Sequence, residues 1–238
     1  SINSINWARI AAQSTYYVYA YLQCCPGVDG IVDFSVPTGA CGNAVAGLLA
    51  KQMGLPIGTL LCATNANDIV HRTLSCGDMR MAANTQTVSP AMDIQFAYNM
   101  ERVLYFVTGG DVRAIRAVMA QVEDPQLRGA QLAPALLAAL RANFTSCSVT
   151  DEQTVATIAR VHAEHGFVLC PHSAVGVYAA HYTAALEAPR AALRGDALVC
   201  VLTAHPAKFA SVVQRATGLR SAEFTTASVE AMRSLPHK

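Results

Sequence analysis

Charge is scarce in this chain: Asp, Glu, Lys and Arg make up only 14% of its 238 residues, and the net charge is +1. A surface so thinly and evenly charged has no field to gather nucleic acid or an anionic membrane, and no basic stripe takes its place. Long apolar runs are missing too. None approaches the roughly 18 residues that would suggest a membrane-spanning helix, so neither nucleic acid nor membrane is expected as a partner. The opening residues SINSINWAR carry neither the basic start nor the apolar stretch of a signal peptide. C-x-x-C pairs are absent as well. Of the eight cysteines, several sit in apolar runs such as LLCAT and LVCVL. They read as small buried hydrophobes of a reducing compartment, and a cytoplasmic setting is expected. Internal repeats and low-complexity segments are lacking.

What the chain has in plenty is apolar material, 53% of its residues, enough for a large packed core. Trp7 to Gln23 has apolar groups on most faces and no breaker, which predicts a largely buried helix ended by Pro26 and Gly27. Gly30 to Val36 reads as a strand, Asn43 to Met53 as a helix stopped by Gly54 and Pro56, and Thr59 to Thr64 as a second buried strand. Strand, helix and strand at this spacing make a βαβ unit, hence a parallel sheet with a right-handed crossover. From residue 67 to 150 helical patterns dominate, notably Pro90 to Thr108 and Asp111 to Val122, and strand signals are weak. A mainly helical insertion is expected there, between a first α/β part, residues 1–66, and a second, residues 151–238. That second part predicts helices over Asp151 to His165 and Ser173 to Leu186, a buried strand over Leu198 to Thr203, and a helix over Lys208 to Gly218.

Between the first strand and the second helix lies SVPTGACGN, Ser35 to Asn43. Gly39 and Gly42 free the backbone to turn its N–H groups toward one point. The helix start adds unpaired N–H groups and a partial positive charge. Such a loop binds a phosphate without a basic side chain. Thr38 and Asn43 are expected to add hydrogen bonds, Asn43 also capping the helix. The loop is neither a Walker loop, which needs GK[ST], nor a dinucleotide fingerprint, which needs G-x-G-x-x-G. On local chemistry alone it is equally a tight turn without a ligand.

Other clusters carry less. His162, His165, Cys170 and His172 fall within eleven residues, yet H-x-x-H followed by C-P-H has no structural-zinc spacing, and no metal is expected. Tyr16, Tyr17, Tyr19 and Tyr21 are spread around one helix and read as packing residues whose hydroxyls reach partners. Asp93, Glu101 and Arg102 read as surface or salt-bridging groups.

Seven segments, in order, resemble threonine synthase: NSINWARI (Asn3 to Ile10), VPTGACGN (Val36 to Asn43), KQMGLPIGTLLCATNANDI (Lys51 to Ile69), SPAMDI (Ser89 to Ile94), NMERVLYF (Asn99 to Phe106), CPHSAVG (Cys170 to Gly176) and TAHPAKF (Thr203 to Phe209). The resemblance implies an α/β fold with the three-layer parallel sheet of fold-type-II pyridoxal phosphate enzymes, as in the tryptophan synthase β subunit. It implies conversion of O-phospho-L-homoserine and water to L-threonine and phosphate. In that reading Gly39, Ala40, Cys41, Gly42 and Asn43 hold the phosphate of pyridoxal 5'-phosphate, and the Thr203 hydroxyl faces its pyridine nitrogen. Asn3, Ser4, Asn6 and Arg9 match a segment near the substrate phosphate, Arg9 being suited to a bidentate contact or to an ordinary helix surface. Two departures stand out. Ala40 and Cys41 replace the Asn and Phe of the usual PTGNFGN, and Cys170 takes the acidic position of DPHT.

A pyridoxal phosphate enzyme also needs a lysine to hold the cofactor covalently and to move protons. The chain has three, Lys51, Lys208 and Lys238. Lys51 lies about 12 Å along the helix from the phosphate loop at the usual rise. Lys208 follows Thr203 on the ring-nitrogen side, and Lys238 is terminal. None is placed to serve, so no catalytic residue is assigned within the chain. In the family the lysine precedes NSINWAR. The expectation is therefore a C-terminal portion, inactive by itself and able to self-associate through exposed apolar surface. The alternatives are a non-catalytic relative binding a phosphorylated ligand, and an enzyme of related fold acting on another phospho- or hydroxy-amino acid.

Overall fold

The computed structural model describes residues 5–185 and 193–226; Asn3, Ser4, Leu186 and Lys238 lie outside them. The βαβ unit is present. Strand β1 (Val32–Pro37) leads through α2 (Gly42–Gln52) to β2 (Ile57–Thr64), and the two strands pair in parallel. The sheet is completed by β3 (Phe144–Ser148) beyond β2 and β4 (Ala197–Cys200) beyond β1, all parallel, in the order β3-β2-β1-β4.

Every residue of β1 and β2 is buried, because helices cover both faces. On one face α1 (Trp7–Cys24) lies with α2. The Tyr17 ring packs on Phe34 at 4.8 Å. Gly47 of α2 lets this ring in: a Cβ there would stand 2.8 Å from Tyr17 and 2.9 Å from Leu60. On the other face lies α8 (Pro171–Ala185), where Ser35 donates to the Gly176 carbonyl at 2.7 Å. Helices α7 (Asp151–His165) and α9 (Ala210–Thr217) pack outside it. Helix α7 opens with a capping box between Thr150 and Gln153, and Gly218 closes α9 in a left-handed conformation.

Five elements depart from expectation. Helix α1 is not largely buried: only Ile10, Tyr17 and Tyr21 are, while Trp7, Val18, Tyr19 and Leu22 are exposed, because a single face of the helix meets the sheet and α2. Strand β3 was not foreseen, since FTSCS is short and polar and only Phe144 is buried; its residues beyond Phe144 are half-buried or exposed. Pro90 to Thr108 is not one helix. A 3₁₀ turn, Pro90–Met92, is followed by irregular chain until α4 (Met100–Val107), because polar side chains rather than a helical ladder bind this stretch. Strand β4 ends at Cys200 and is half-buried, as fits its place at the edge among the described residues. The helix expected from Lys208 begins as a 3₁₀ turn, Pro206–Phe209. Helices α3 (Ile69–Cys76), α5 (Val112–Glu123) and α6 (Pro134–Arg141) complete the region before β3. Among the described residues no helix is long and apolar enough to cross a membrane.

Candidate functional site

A cleft of about 680 Å³ opens at the carboxyl ends of β1 and β4. The chain moves outward from β1 to β2 to β3, then returns to place β4 on the other side of β1. The crevice lies at this reversal of strand order, where parallel sheets bind ligands. Its floor is the run Pro37 to Ala44, and Thr203 with its neighbours forms the facing wall. The 90–94 turn, Arg9, Gln13 and Tyr16 of α1, and His172 enclose the rest.

The loop owes its shape to other residues than the expected ones. Neither Gly39 nor Gly42 has a positive φ; Cys41 does, at 65°, as the N-cap of α2. Gly39 is required for closeness instead. A Cβ there would meet Met92 Cα at 3.1 Å and the Ala91 carbonyl at 3.2 Å. Thr38 is turned inward, its hydroxyl donating to the Val36 carbonyl at 2.6 Å and its N–H to that of Ala63 at 2.7 Å. It locks the turn and has no proton left for a ligand. Asn43 is the second residue of α2, not its cap. Its Oδ1 accepts from Tyr16 at 2.6 Å and Tyr17 at 2.8 Å, so these tyrosine hydroxyls do reach partners, as does that of Tyr21 on the Gly30 carbonyl.

Among the described residues, no hydrogen bond uses the backbone N–H of Gly39, Ala40, Cys41, Gly42 or Asn43. All five residues line the cleft. Buried N–H groups seldom stay unpaired, and a run of them at a helix start suits an anion. Two further polar atoms, Gln13 Oε1 and His172 Nδ1, are buried without a partner, and both residues line the same cleft. Open donors, orphaned polar atoms and ample volume together fit a phosphorylated, ring-sized cofactor such as pyridoxal phosphate.

Thr203 lies three residues past β4 with its side chain exposed to the cleft. Its N–H donates to Ser173 Oγ at 3.1 Å, and Ser173 in turn meets Cys170 Sγ at 3.2 Å. The sulfur also accepts the Ser173 N–H at 3.3 Å. Cys170 thus caps α8 with a thiol where the family pattern has a carboxylate. Arg9 lines the cleft, whereas Asn6 is spent as the N-cap of α1 and is not among the lining residues. Lys51 points away, its ammonium donating to the Gly58 carbonyl at 2.6 Å, and burial holds its pKa below the usual value. Lys208 lines the cleft.

Three residues were undervalued in the sequence. Asp93 is no surface group: one carboxylate oxygen accepts from Asn65 at 2.8 Å, Asn67 at 3.0 Å and the Thr87 hydroxyl at 2.6 Å, tying the 90–94 wall to the end of β2. Arg102 donates to the Ile5 carbonyl at 2.7 Å and lies over Trp7, which pins the start of α1. His172 accepts the Ala91 N–H through Nε2 at 3.1 Å and packs on Phe209 at 4.7 Å. Burial, with the nearby Lys208 charge, brings its pKa down to about 4, so the ring is neutral. The side chains of Asn65, Asn67 and Asp93 recur in the quoted motifs, the one signal that could have marked them.

A family model described as threonine synthase, C-terminal, matches residues 173–238. Threonine synthase of Pseudomonas aeruginosa is 39% identical over 225 residues, covering 91% of this chain and 44% of that protein. Threonine synthase-like 2 of Xenopus laevis is 40% identical over 220 residues with the same coverage. Among solved structures, pyridoxal phosphate-bound threonine synthase from Brucella melitensis superposes with a TM-score of 0.82 at 42% identity, covering 92% of this chain and 45% of that one. The yeast enzyme gives 0.86 at 35%, covering 98% and 49%. The chain thus spans about half the length of the relatives it matches. Its parallel sheet sandwiched by helices is the fold-type-II pyridoxal phosphate architecture, and the chain belongs to the threonine synthase family.

Proposed function

We propose that the cleft binds pyridoxal 5'-phosphate and that this chain supplies part of a carbon–oxygen lyase site converting O-phospho-L-homoserine and water to L-threonine and phosphate, in threonine biosynthesis. The observation that carries this reading is the row of open N–H groups from Gly39 to Asn43 facing Thr203 across one cleft. When bound, the cofactor supplies an electron sink for breaking bonds beside the amino-bearing carbon of the substrate. The chain's own residues hold and orient it. The loop N–H groups and the start of α2 take its phosphate, and the Thr203 hydroxyl meets its ring nitrogen as a neutral partner. Arg9, at the rim, suits the phosphate of the substrate. His172, neutral and buried, holds the 90–92 turn as a wall and keeps water from that side. The eight free thiols fit the cytoplasm, and the division into residues 1–66, 67–150 and 151–238 serves as the proposed domain plan.

Ala40, Cys41 and Cys170, which depart from the family pattern, support a second reading, in which the protein binds a phosphorylated ligand without turnover. Titration with pyridoxal phosphate and with pyridoxal tests the cofactor site. Phosphate-dependent tightening of at least tenfold is expected, and equal affinity for the two would refute it. Assay of the full-length protein with O-phospho-L-homoserine then separates the readings: release of phosphate and threonine supports the lyase, and cofactor binding without release supports the second.

A further inference from the structure

Asn43 is held by α1 in a way that dictates what its side chain offers the cleft. The hydroxyls of Tyr16 and Tyr17 both converge on Oδ1, at 2.6 and 2.8 Å, and that of Tyr17 also lies 3.0 Å from the Asn43 carbonyl. An amide oxygen has two lone-pair sites, and both are taken. Among the described residues no acceptor engages Nδ2, and Asn43 lines the cleft. We propose that Tyr16 and Tyr17 are positioning residues that lock the Asn43 amide with its NH₂ toward the cleft, making it a fixed donor to the cofactor phosphate. The inference rests on the reading of the cleft given above.

The lock works in one direction only. An Asn free to rotate can present oxygen or nitrogen, and oxygen facing a phosphate is repulsive. With two hydroxyl protons on Oδ1, that orientation would strand the Tyr16 donor and leave Tyr17 only the Asn43 carbonyl at 3.0 Å. Burial keeps both phenols protonated, the Tyr16 pKa being pushed up to about 12 and that of Tyr17 well above its usual value, so the donors do not lapse in the working pH range. The two rings differ in their other duties. Tyr17 is fully buried against Phe34 and Gly47, whereas Tyr16 is half-buried at the cleft. Removing the Tyr16 hydroxyl therefore tests the lock with the core left intact.

The experiment is titration of the chain and its Tyr16→Phe variant with pyridoxal phosphate and, separately, with pyridoxal. A lost orienting hydrogen bond predicts that Tyr16→Phe weakens pyridoxal phosphate about three- to tenfold and leaves pyridoxal unchanged. In an Asn43→Ala background the same Tyr16→Phe change should have no further effect, since the residue it orients is gone. Equal weakening of both ligands would mean a structural role and overturn the proposal, as would no weakening of either or full additivity with Asn43→Ala. If the unaltered chain itself binds both ligands equally, the reading of the cleft falls. If it discriminates and Tyr16→Phe discriminates to the same degree, only the lock falls.

Discussion

The two ends of β1 treat the same chemical groups in opposite ways. Near its amino end, the buried Asp33 carboxylate accepts three backbone N–H groups, from Thr59 at 2.5 Å, Arg194 at 2.8 Å and Gly195 at 2.7 Å. Just past its carboxyl end, the N–H groups of Gly39 to Asn43 face a cleft and have no acceptor among the described residues. One end is closed upon itself and stitches β2 and the approach to β4 onto the central strand. The other keeps its donors open, with a cleft in front of them. A buried donor without a partner costs about 1–3 kcal/mol, so an open row is tolerable only where water or a ligand reaches it. The difference locates the site independently of any motif.

Breaking the closed end should have the largest effect. Asp33→Ala strands the buried Thr59 N–H and two part-buried ones, from Arg194 and Gly195, and is expected to cost about 2–4 kcal/mol, read as a lower urea midpoint. Asp33→Asn, which retains one carbonyl oxygen, should fall between. A variant as stable as the original would show that these donors find water instead and would dissolve the contrast. At the open end, removing an N–H is impossible without proline, but filling the space is not. Gly39→Val drives a side chain into Met92 and the Ala91 carbonyl, and overpacking of this kind costs about 1–3 kcal/mol. Adding pyridoxal phosphate should raise the melting temperature of the original chain and do so less for Gly39→Val.

The 90–92 turn that Gly39 meets is held from behind by His172, which makes the open end sensitive to acid. The folded pKa, about 4, lies below the unfolded value of about 6.5. The unfolded chain therefore binds more protons in that window, and stability falls as pH drops from about 6.5 to 4, by about 2–3 kcal/mol. Protonation would also turn Nε2 from acceptor into donor against the Ala91 N–H. His172→Gln retains an acceptor that does not titrate, so its stability should be flatter between these pH values. Charged groups near the ring are Lys208, which opposes protonation, and Asp93, which favours it. An unchanged acid limb in His172→Gln would assign the loss to other groups.

Periodicity and breakers were enough to read the βαβ unit and the spans of α1 and α7. Burial on both faces writes the apolar runs of β1 and β2, whereas the apolar run of α1 misled, since Trp7, Val18, Tyr19 and Leu22 are exposed. The loop proposed to take a phosphate was legible in its geometry, a strand end, two glycines and a helix start. Its working parts were less so. Asp93 and His172 act through partners 28 and 81 positions away, Asn65 and Ala91, and no local pattern encodes such contacts. Strand β3 escaped because only Phe144 is buried, leaving no alternation to detect. The role given to Asn43 as a cap failed for a local reason: Cys41 takes the left-handed backbone that starts α2 one residue sooner.

That start of α2 invites a finer comparison, with the helices that cap themselves. Helix α7 has the Thr150 and Gln153 capping box, α8 has the Cys170 sulfur on the Ser173 N–H, and α2 has no side-chain cap. Thr150→Ala removes a strong cap and should cost about 1 kcal/mol. Cys170→Ala removes a weak one, because a thiol is a poor acceptor, and about 0.5 kcal/mol is expected beyond the loss of packing. Its consequence should reach further than its size. Ser173 Oγ, freed from the sulfur, also accepts the Thr203 N–H, so loosening it shifts the wall facing the phosphate loop. Cys170→Ala should therefore weaken pyridoxal and pyridoxal phosphate by the same small factor, about twofold, since in the proposed reading that wall meets the ring and not the phosphate. Thr150→Ala, with a larger loss of stability, should leave both affinities alone. If the two variants instead changed affinity in proportion to stability, the link from Cys170 through Ser173 to Thr203 would be packing alone.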